Sequence, residues 1–243
     1  MSKSIPSGFV TGHAGPPGGR RLLIVGGSRG IGASAAAHFV RQGDTVLAVS
    51  RRPAVAGAWV RADVARDDGI AAIADAAGDE ALDALLFLGG TWEEGAFTDA
   101  FRFSASSSDE ARHVVSVNLL APILLARALA PALLRAANPR IVLMGAVSSK
   151  DNAATPEVAN TASKFGLRGA AQALRLSLPR LGITVINPGN VATPEVEADI
   201  AEGRFGPQVP IPVEDVLAAL DFVLGCSAAT TVAEIDLLQR HPG

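Results

Sequence analysis

The chain contains no tyrosine, and among its 243 residues there is a single cysteine, Cys226. Without tyrosine, no reaction can use a phenol of this protein as its proton donor. One cysteine cannot form a disulfide within the chain, and no zinc-type spacing of cysteine and histidine is present. We therefore expect a cytoplasmic protein with neither a disulfide framework nor a structural metal.

Excess positive charge and uninterrupted hydrophobic runs are also lacking. The net charge is −3, which does not provide the basic surface typical of nucleic-acid-binding proteins. The longest apolar stretches, 82–88 and 119–134, are interrupted by aspartate, proline or arginine, so we expect no membrane span. The first twenty residues are rich in glycine, proline and serine, which predicts a flexible leader over 1–20 and one domain over 21–243.

Apolar runs of strand length alternate with helical patterns from residue 21 onward. The predicted strands cover residues 21–25, 45–49, 59–60, 84–88, 140–144, 183–186 and 234–238. The predicted helices run from the glycines after residue 25 to about 42, from 108 onward, over about 156–178, and over about 212–225. Continuous apolar strands are typical of sheets covered on both faces. The pattern predicts an α/β fold with a doubly wound, mostly parallel, seven-stranded sheet.

A glycine-rich loop joins the first predicted strand to the first helix. It contains Gly26, Ser28, Arg29, Gly30, Ile31 and Gly32. Glycines in such a loop allow a tight turn, and the N–H groups at the start of the helix bind pyrophosphate. The flanking strand and helix, more than the glycines themselves, favour a dinucleotide site over a turn without a ligand.

The end of the second strand indicates which dinucleotide binds. An acidic residue there would bind a ribose 2′-hydroxyl, but this chain has Ser50, Arg51 and Arg52. Together with Arg29, these two guanidinium groups can bind a 2′-phosphate through charge-assisted hydrogen bonds. The sequence predicts NADP(H) rather than NAD(H). The alternative is that Arg51 and Arg52 are solvated charges at a strand end.

Further motifs follow in an order that resembles the short-chain dehydrogenase/reductase family over about residues 22–238. These are Asp63-Val64 after the third strand, Asn118 in a long helix, Lys164, and the segment 187–193 after the sixth strand. The resemblance implies a single Rossmann-type domain in which the loop glycines hold pyrophosphate. It also implies further cofactor contacts from Asp63, Val64, Gly89, Gly90, Lys164, Pro188, Gly189, Val191 and Thr193.

Two catalytic positions depart from the pattern of that family. Counted from Asn118, the serine position is Ala146, and the tyrosine position four residues before Lys164 is Asn160. Asn160 and Lys164 share one helix face, where the amide can stabilise an oxyanion, or Asn160 can merely fill the space of a lost side chain. A one-residue shift in the loop would bring Ser148 into the site, although such serines are more often turn formers.

The candidate catalytic residues are therefore Lys164, Asn118, Asn160 and Ser148, and the candidate substrate contacts are Trp92, Ala146, Asn160 and Phe205. A long segment at about 190–212 predicts a substrate lid. We interpret the chain as an NADPH-dependent reductase of a ketone or quinone, with electrostatic or substrate-assisted protonation. The departures are similar to those of family members that tailor aromatic polyketides in antibiotic biosynthesis, which implies a small hydrophobic substrate.

Two other functions stay open at this point. The loss of serine and tyrosine is also what a non-catalytic NADP-binding partner subunit or sensor would show. An isomerase or dehydratase is a third possibility, but the sequence shows no well-placed acid–base pair. The resemblance further implies a homodimer or homotetramer.

Overall fold

A computed structural model describes residues 19–205 and 208–240. Within these ranges seven parallel strands form one sheet: β1 Arg21–Val25, β2 Thr45–Ser50, β3 Ala58–Arg61, β4 Ala84–Phe87, β5 Arg140–Met144, β6 Gly182–Pro188 and β7 Glu234–Leu237. Their spatial order is β3-β2-β1-β4-β5-β6-β7, so the chain moves outward from β1 and then crosses back to β4. The predicted doubly wound parallel sheet is confirmed. Its crevice lies between β1 and β4, where the connections that leave the two strands run toward opposite edges of the sheet. Such sheets bind ligands at this point.

Helices cover both faces of the sheet. They are α1 Gly30–Arg41, α2 Asp67–Ala77, α3 Ser108–Val115, α4 Ala121–Leu133, α5 Val158–Ser177, α6 Pro194–Ala201 and α7 Val213–Gly225. Along β1, Leu23 packs into a buried apolar cluster with α2, α4 and α5, whereas Leu22 packs into a second one with α1 and α7. Successive residues of a strand point to opposite faces, so these two clusters are the two layers of the core.

The sequence pattern failed to predict α2. Its buried side consists of Gly69, Ile70, Ile73 and Ala77, so only two large apolar residues mark the helical period. The remaining positions are mostly aspartate and alanine, which carry a weak amphipathic signal. The helix nevertheless packs beside α4 in the core, and its position is set by this tertiary contact.

The long helical region stays continuous over Ser108–Leu133 although it contains Pro122 and Pro131. Between α3 and α4, residues Ser116–Leu120 form one π-helical turn that keeps the stretch continuous. Pro122, the second residue of α4, has no N–H to donate to the carbonyl of residue 118, which favours a locally widened turn. The turn places Asn118 on the inner side of the helix, where it is buried.

One helix of this region has the length and composition of a membrane span. Within the described residues, Ser108–Leu133 is long and apolar enough, by length and composition, to cross a membrane. Its side chains Leu125, Leu129 and Leu133 are fully buried in the core beside the sheet. Packing within the domain accounts for the apolar composition of this helix.

Arg20, the last residue of the predicted leader, packs against the domain. Arg20 Nη2 lies 2.6 Å from Asp44 Oδ2, and its guanidinium lies 5.3 Å from the centroid of the Phe39 ring. Arg20 therefore belongs to the domain, because its side chain joins the start of β1 to the turn before β2. Residues 1–18 of the predicted leader lie outside the described residues.

Candidate functional site

A cleft of about 820 Å³ opens at the carboxyl ends of the central strands. It brings together most of the residues that the sequence singled out. The cofactor candidates that line it are Gly26, Ser28, Arg29, Gly30, Ile31, Gly32, Arg51, Asp63, Val64, Gly89, Gly90, Lys164, Pro188, Gly189, Val191 and Thr193. The substrate and catalytic candidates that line it are Trp92, Ala146, Ser148, Asn160 and Phe205. Arg52 and Asn118 stand outside this lining.

The glycine loop forms the floor of one end of the cleft. Gly26 has a φ of 100°, which favours glycine, and a Cβ there would lie 2.9 Å from the backbone of Gly89. Arg29 makes no side-chain capping bond at the start of α1. The first N–H groups of α1 are thus free to bind another acceptor. Because the loop has no side chain at Gly26, a pyrophosphate can come close to these N–H groups.

The three arginines do not act as one group. Arg51 lines the cleft, but Arg52 is exposed outside it, and its carbonyl accepts a 2.6 Å hydrogen bond from Ser50 Oγ. Arg29 Nη1 lies 3.5 Å from Glu195 Oε1, so it links the glycine loop to the first turn of α6. Arg52 therefore does not line the cleft in this structure, and its contact with a 2′-phosphate stays a prediction.

Lys164 is buried at the other end of the cleft and lies at the end of the second turn of α5. Its Nζ donates a 2.8 Å hydrogen bond to the carbonyl of Met144. Burial in the protein interior lowers the pKa of Lys164 to about 8. Gly90 lies against this ammonium, since a Cβ at that position would be 3.6 Å from Nζ.

Asn118 holds Asn160 and the segment after β4 from behind the cleft. Its Oδ1 accepts a 2.9 Å hydrogen bond from Thr91 N, and its Nδ2 donates to Thr91 O at 2.6 Å. The same Nδ2 donates to Asn160 Oδ1 at 3.3 Å. Because its oxygen is occupied in this way, the Nδ2 group of Asn160 is left as a donor. Asn118 is a positioning residue in this arrangement, not a residue of the cleft wall.

The loop after β5 contains the two positions considered for a hydroxyl group. Ala146 lines the cleft, as its alignment with the serine position implied. Ser148 is buried and lines the cleft as well, whereas Ser149 Oγ donates to Ala146 O at 2.6 Å. Ser148 is therefore the hydroxyl that this loop presents to the cleft.

Aromatic side chains from two segments form the outer wall of the cleft. The rings of Trp92 and Phe97 lie 5.9 Å apart, and the rings of Phe97 and Phe205 lie 6.0 Å apart. Phe205 follows α6, the short helix inside the predicted lid. Residues 206 and 207 of this segment lie outside the described residues. The aromatic contacts connect the lid to the loop after β4.

Sequence reasoning missed two buried carboxyl groups beside α5. Glu157 lines the cleft, and its Oε1 accepts a 2.7 Å hydrogen bond from Phe97 N. Glu93 Oε1 accepts from Ala159 N at 2.7 Å and from Asn160 N at 3.2 Å. The one signal in the sequence was the spacing of Glu157, which precedes Asn160 by three residues and so shares its helix face.

These residues fit a nicotinamide dinucleotide. The glycine cradle at the start of α1 suits a pyrophosphate, Arg51 suits a phosphate or hydroxyl on the adenosine ribose, and Lys164 suits the hydroxyls of a second ribose. Among the residues that the structure describes, no three His, Cys, Asp or Glu side chains are arranged to hold a metal ion.

Known proteins share both the sequence pattern and the fold. The 1-deoxy-11-beta-hydroxypentalenate dehydrogenase of Streptomyces exfoliatus is 28% identical over 221 residues, which cover 85% of this chain and 80% of that protein. The cyclic-di-GMP-binding biofilm dispersal mediator protein of Escherichia coli (strain K12) is 30% identical over 213 residues, covering 83% of this chain and 81% of its own.

A solved structure of a short chain dehydrogenase from Escherichia coli CFT073 in complex with NADPH has a TM-score of 0.75. It is 24% identical and covers 89% of this chain and 95% of its own, so the likeness establishes the fold. The family profile described as short chain dehydrogenase matches residues 20–203, which include the glycine loop, Lys164 and Thr193. The chain belongs to the short chain dehydrogenase family.

Proposed function

We propose that the protein is an NADPH-dependent reductase of a ketone or quinone in a small, hydrophobic, aromatic substrate. The observation that carries this proposal is the single cleft that joins the glycine loop and Arg51 to Lys164 and Asn160. Its outer wall of Trp92, Phe97 and Phe205 suits a flat aromatic molecule. The named dehydrogenase activity of the Streptomyces relative and the NADPH complex of the structural relative are consistent with it.

Each part of the cleft has a distinct role in this proposal. The N–H groups at the start of α1 bind the pyrophosphate, and Arg51 with Arg29 binds the 2′-phosphate. Lys164 holds the ribose next to the nicotinamide. When bound, NADPH supplies the hydride that reduces the substrate carbon.

The substrate oxygen is activated by hydrogen bonding and by nearby positive charge, because the chain has no tyrosine to donate a proton. The Nδ2 group of Asn160 donates a hydrogen bond to the oxygen as negative charge develops there, and Asn118 holds this amide in place. The ammonium of Lys164, one helical turn away, adds positive charge. Water or a hydroxyl of the substrate then supplies the proton.

A non-catalytic sensor of NADP(H) is the second candidate function. The specific observation in its favour is that Ala146 and Asn160 stand in the cleft at the positions where the family pattern has serine and tyrosine. The Escherichia coli relative is named for cyclic-di-GMP binding and biofilm dispersal and not for a reaction, which is consistent with this candidate.

Transfer of deuterium distinguishes the two candidates. The purified protein is incubated with tetralone, a bicyclic aromatic ketone, and in separate reactions with two forms of NADPH. These forms carry deuterium on opposite faces of C4 of the nicotinamide. The reductase proposal predicts that one of the two deuterated forms of NADPH transfers its label to the alcohol carbon. A protein that binds NADPH but transfers no label from either form, and does not oxidise NADPH with the quinone menadione, is a sensor or partner.

A further inference from the structure

Glu157 is a buried acid whose hydrogen bonding is incomplete. The residue is 2% exposed, and its Oε1 accepts the N–H of Phe97 at 2.7 Å. Its Oε2 has no hydrogen-bond partner among the residues that the structure describes. A buried carboxyl oxygen left without a donor is costly, by roughly 1–3 kcal/mol. The cleft wall therefore contains an acceptor that the protein itself does not satisfy.

Capping of α5 does not explain this acid. Glu157 occupies the N-cap position of α5, yet its side chain makes no capping hydrogen bond. That role belongs to Glu93, whose Oε1 accepts from the N–H groups of Ala159 and Asn160. Glu93 lines a smaller neighbouring cavity of about 350 Å³ rather than the cleft. The Oε2 of Glu93 also lacks a partner among the described residues, so the two acids, both 2% exposed, differ in the cavity that they line and not in how completely they are hydrogen-bonded.

The surroundings of Glu157 indicate which donor completes its hydrogen bonding. Its partner Phe97 packs edge-on against Trp92 and at a tilt against Phe205, so an aromatic ligand in the cleft passes next to the carboxyl group. An ammonium group would be a stronger partner in water, but its desolvation beside three aromatic side chains costs far more than that of a neutral hydroxyl. A hydroxyl on an aromatic ring supplies one donor at low desolvation cost.

We propose that the free Oε2 of Glu157 accepts a hydrogen bond from a hydroxyl of the substrate, so that the cleft selects phenolic aromatic ketones or quinones. This inference rests on the proposed reductase function and names the substrate class of the same site. Asn160, one turn further along α5, binds the carbonyl oxygen at the reacting end. Asn160 and Glu157 thus form hydrogen bonds with the carbonyl and the hydroxyl, respectively, of one flat molecule.

Calorimetry with a matched pair of ligands tests the proposal. Tetralone and a hydroxytetralone, with its hydroxyl on the aromatic ring para to the carbonyl-bearing carbon, are titrated into the protein saturated with NADP⁺. The oxidised cofactor prevents turnover. We expect hydroxytetralone to bind about tenfold more tightly, in keeping with one hydrogen bond to a carboxylate. Glu157→Gln should reduce this preference to about threefold or less, because its amide can offer the hydroxyl oxygen only a neutral hydrogen bond in place of the charge-assisted bond to a carboxylate.

Glu93→Gln is the matched control, since it alters an equally buried acid that does not line the cleft; it should keep the tenfold preference. If Glu157→Gln fails to fold, the comparison of the two ligands in the wild-type protein decides alone. Equal affinity of tetralone and hydroxytetralone, or tighter binding of the cationic aminotetralin, overturns the inference and leaves the reductase proposal standing. A protein that binds no NADP⁺ contradicts both.

Discussion

At the residue scale, the proposed preference for NADPH depends on the positions of two neighbouring arginine side chains. Arg51 lines the cleft at the end of β2, and Arg52 lies outside it although the sequence treats the two alike. A guanidinium contributes to phosphate binding only where its N–H groups reach the phosphate oxygens. The difference between these two side chains is a direct test of the cofactor site.

Arg51→Ala should weaken NADPH binding about tenfold and leave NADH binding unchanged, because it removes a charge-assisted contact that only the 2′-phosphate makes. Isothermal titration calorimetry measures both affinities. Arg52→Ala is the control and should change neither by more than about twofold. If Arg52→Ala weakens NADPH binding as much as Arg51→Ala does, the assignment of the phosphate contact to Arg51 is wrong.

Lys164 makes stability depend on pH. Its pKa falls from 10.5 to about 8 on burial, so the unfolded chain keeps this proton between those values while the folded protein has released it. The free energy of unfolding should then rise with pH between about 8 and 10.5. This gain in stability is lost again as the pH falls from 10.5 through 8. The rise amounts to about 3 kcal/mol.

Lys164→Met should abolish that rise, which urea denaturation of the cofactor-free protein at a series of pH values measures. The control is Lys150→Met, which removes a lysine paired with Glu234 on the other side of the loop after β5 and should keep the rise. A wild-type protein whose stability does not increase over this pH range argues against a buried ammonium at Lys164.

The sequence could predict the pair of Asn160 and Lys164, because a spacing of four residues places both on one helix face whatever the tertiary structure. It could not predict that Arg52 leaves the cleft or that Asn118 acts through Thr91 and Asn160. These outcomes depend on how the chain turns after a strand and on contacts between distant segments. Glu157 was missed for the same reason, since its burial follows from the position of the loop around Phe97.

At the scale of elements, the segment after β6 combines a short helix with an aromatic anchor. Its length predicted a lid, and α6 lies within it, held to the glycine loop by the pair of Glu195 and Arg29. Phe205 follows α6 and contacts Phe97 across the outer end of the cleft. We expect this contact to close the site over the substrate rather than over the cofactor.

Phe205→Ala should raise the KM for tetralone about fivefold, since a stacked aromatic pair contributes about 1 kcal/mol. The dissociation constant of NADPH should change by less than about twofold. Val209→Ala is the control, because Val209 is an exposed residue of the same segment that does not line the cleft. Equal losses in substrate and cofactor binding would show that the lid serves the cofactor instead.

Two elements show why local patterns predict some structure and miss the rest. The strands β1, β4 and β5 were recognised because their apolar runs are buried on both faces. The helix α2 and the π turn at Ser116–Leu120 were not, because the former has few large apolar residues and the latter arises from Pro122 within a continuous helix. The first feature depends on packing and the second on the missing N–H of a proline. The period of apolar residues in the sequence indicates neither of them.

At the scale of the whole molecule, one sheet order brings segments from across the chain to a single cleft. The order places the ends of β1, β4, β5 and β6 side by side, so loops that are far apart in sequence meet there. The alternation of strands and helices was enough to predict a doubly wound parallel sheet, because right-handed crossovers leave few topologies, but it did not predict the order of the strands.

The outer faces of α3, α5 and the π turn leave apolar side chains exposed. These are Val115, Leu120, Val158 and Phe165. We propose that this face joins two copies of the chain, and sedimentation equilibrium should then show a dimer or tetramer. Phe165→Glu should shift the protein toward monomers, whereas Val55→Glu, which alters an exposed residue in the loop after β2, should not. A wild-type protein that sediments as a monomer contradicts the proposed contact.

Binding of a phosphorylated nicotinamide dinucleotide in the cleft between the glycine loop and Lys164 is the central proposal for this protein. Calorimetric titration of the wild-type protein with NADPH and with NADH measures this directly. We predict one NADPH bound per chain, at least about tenfold more tightly than NADH, because Arg51 meets the 2′-phosphate and no carboxylate competes for the ribose. Equal affinities for the two cofactors, or no binding of either, would contradict the account.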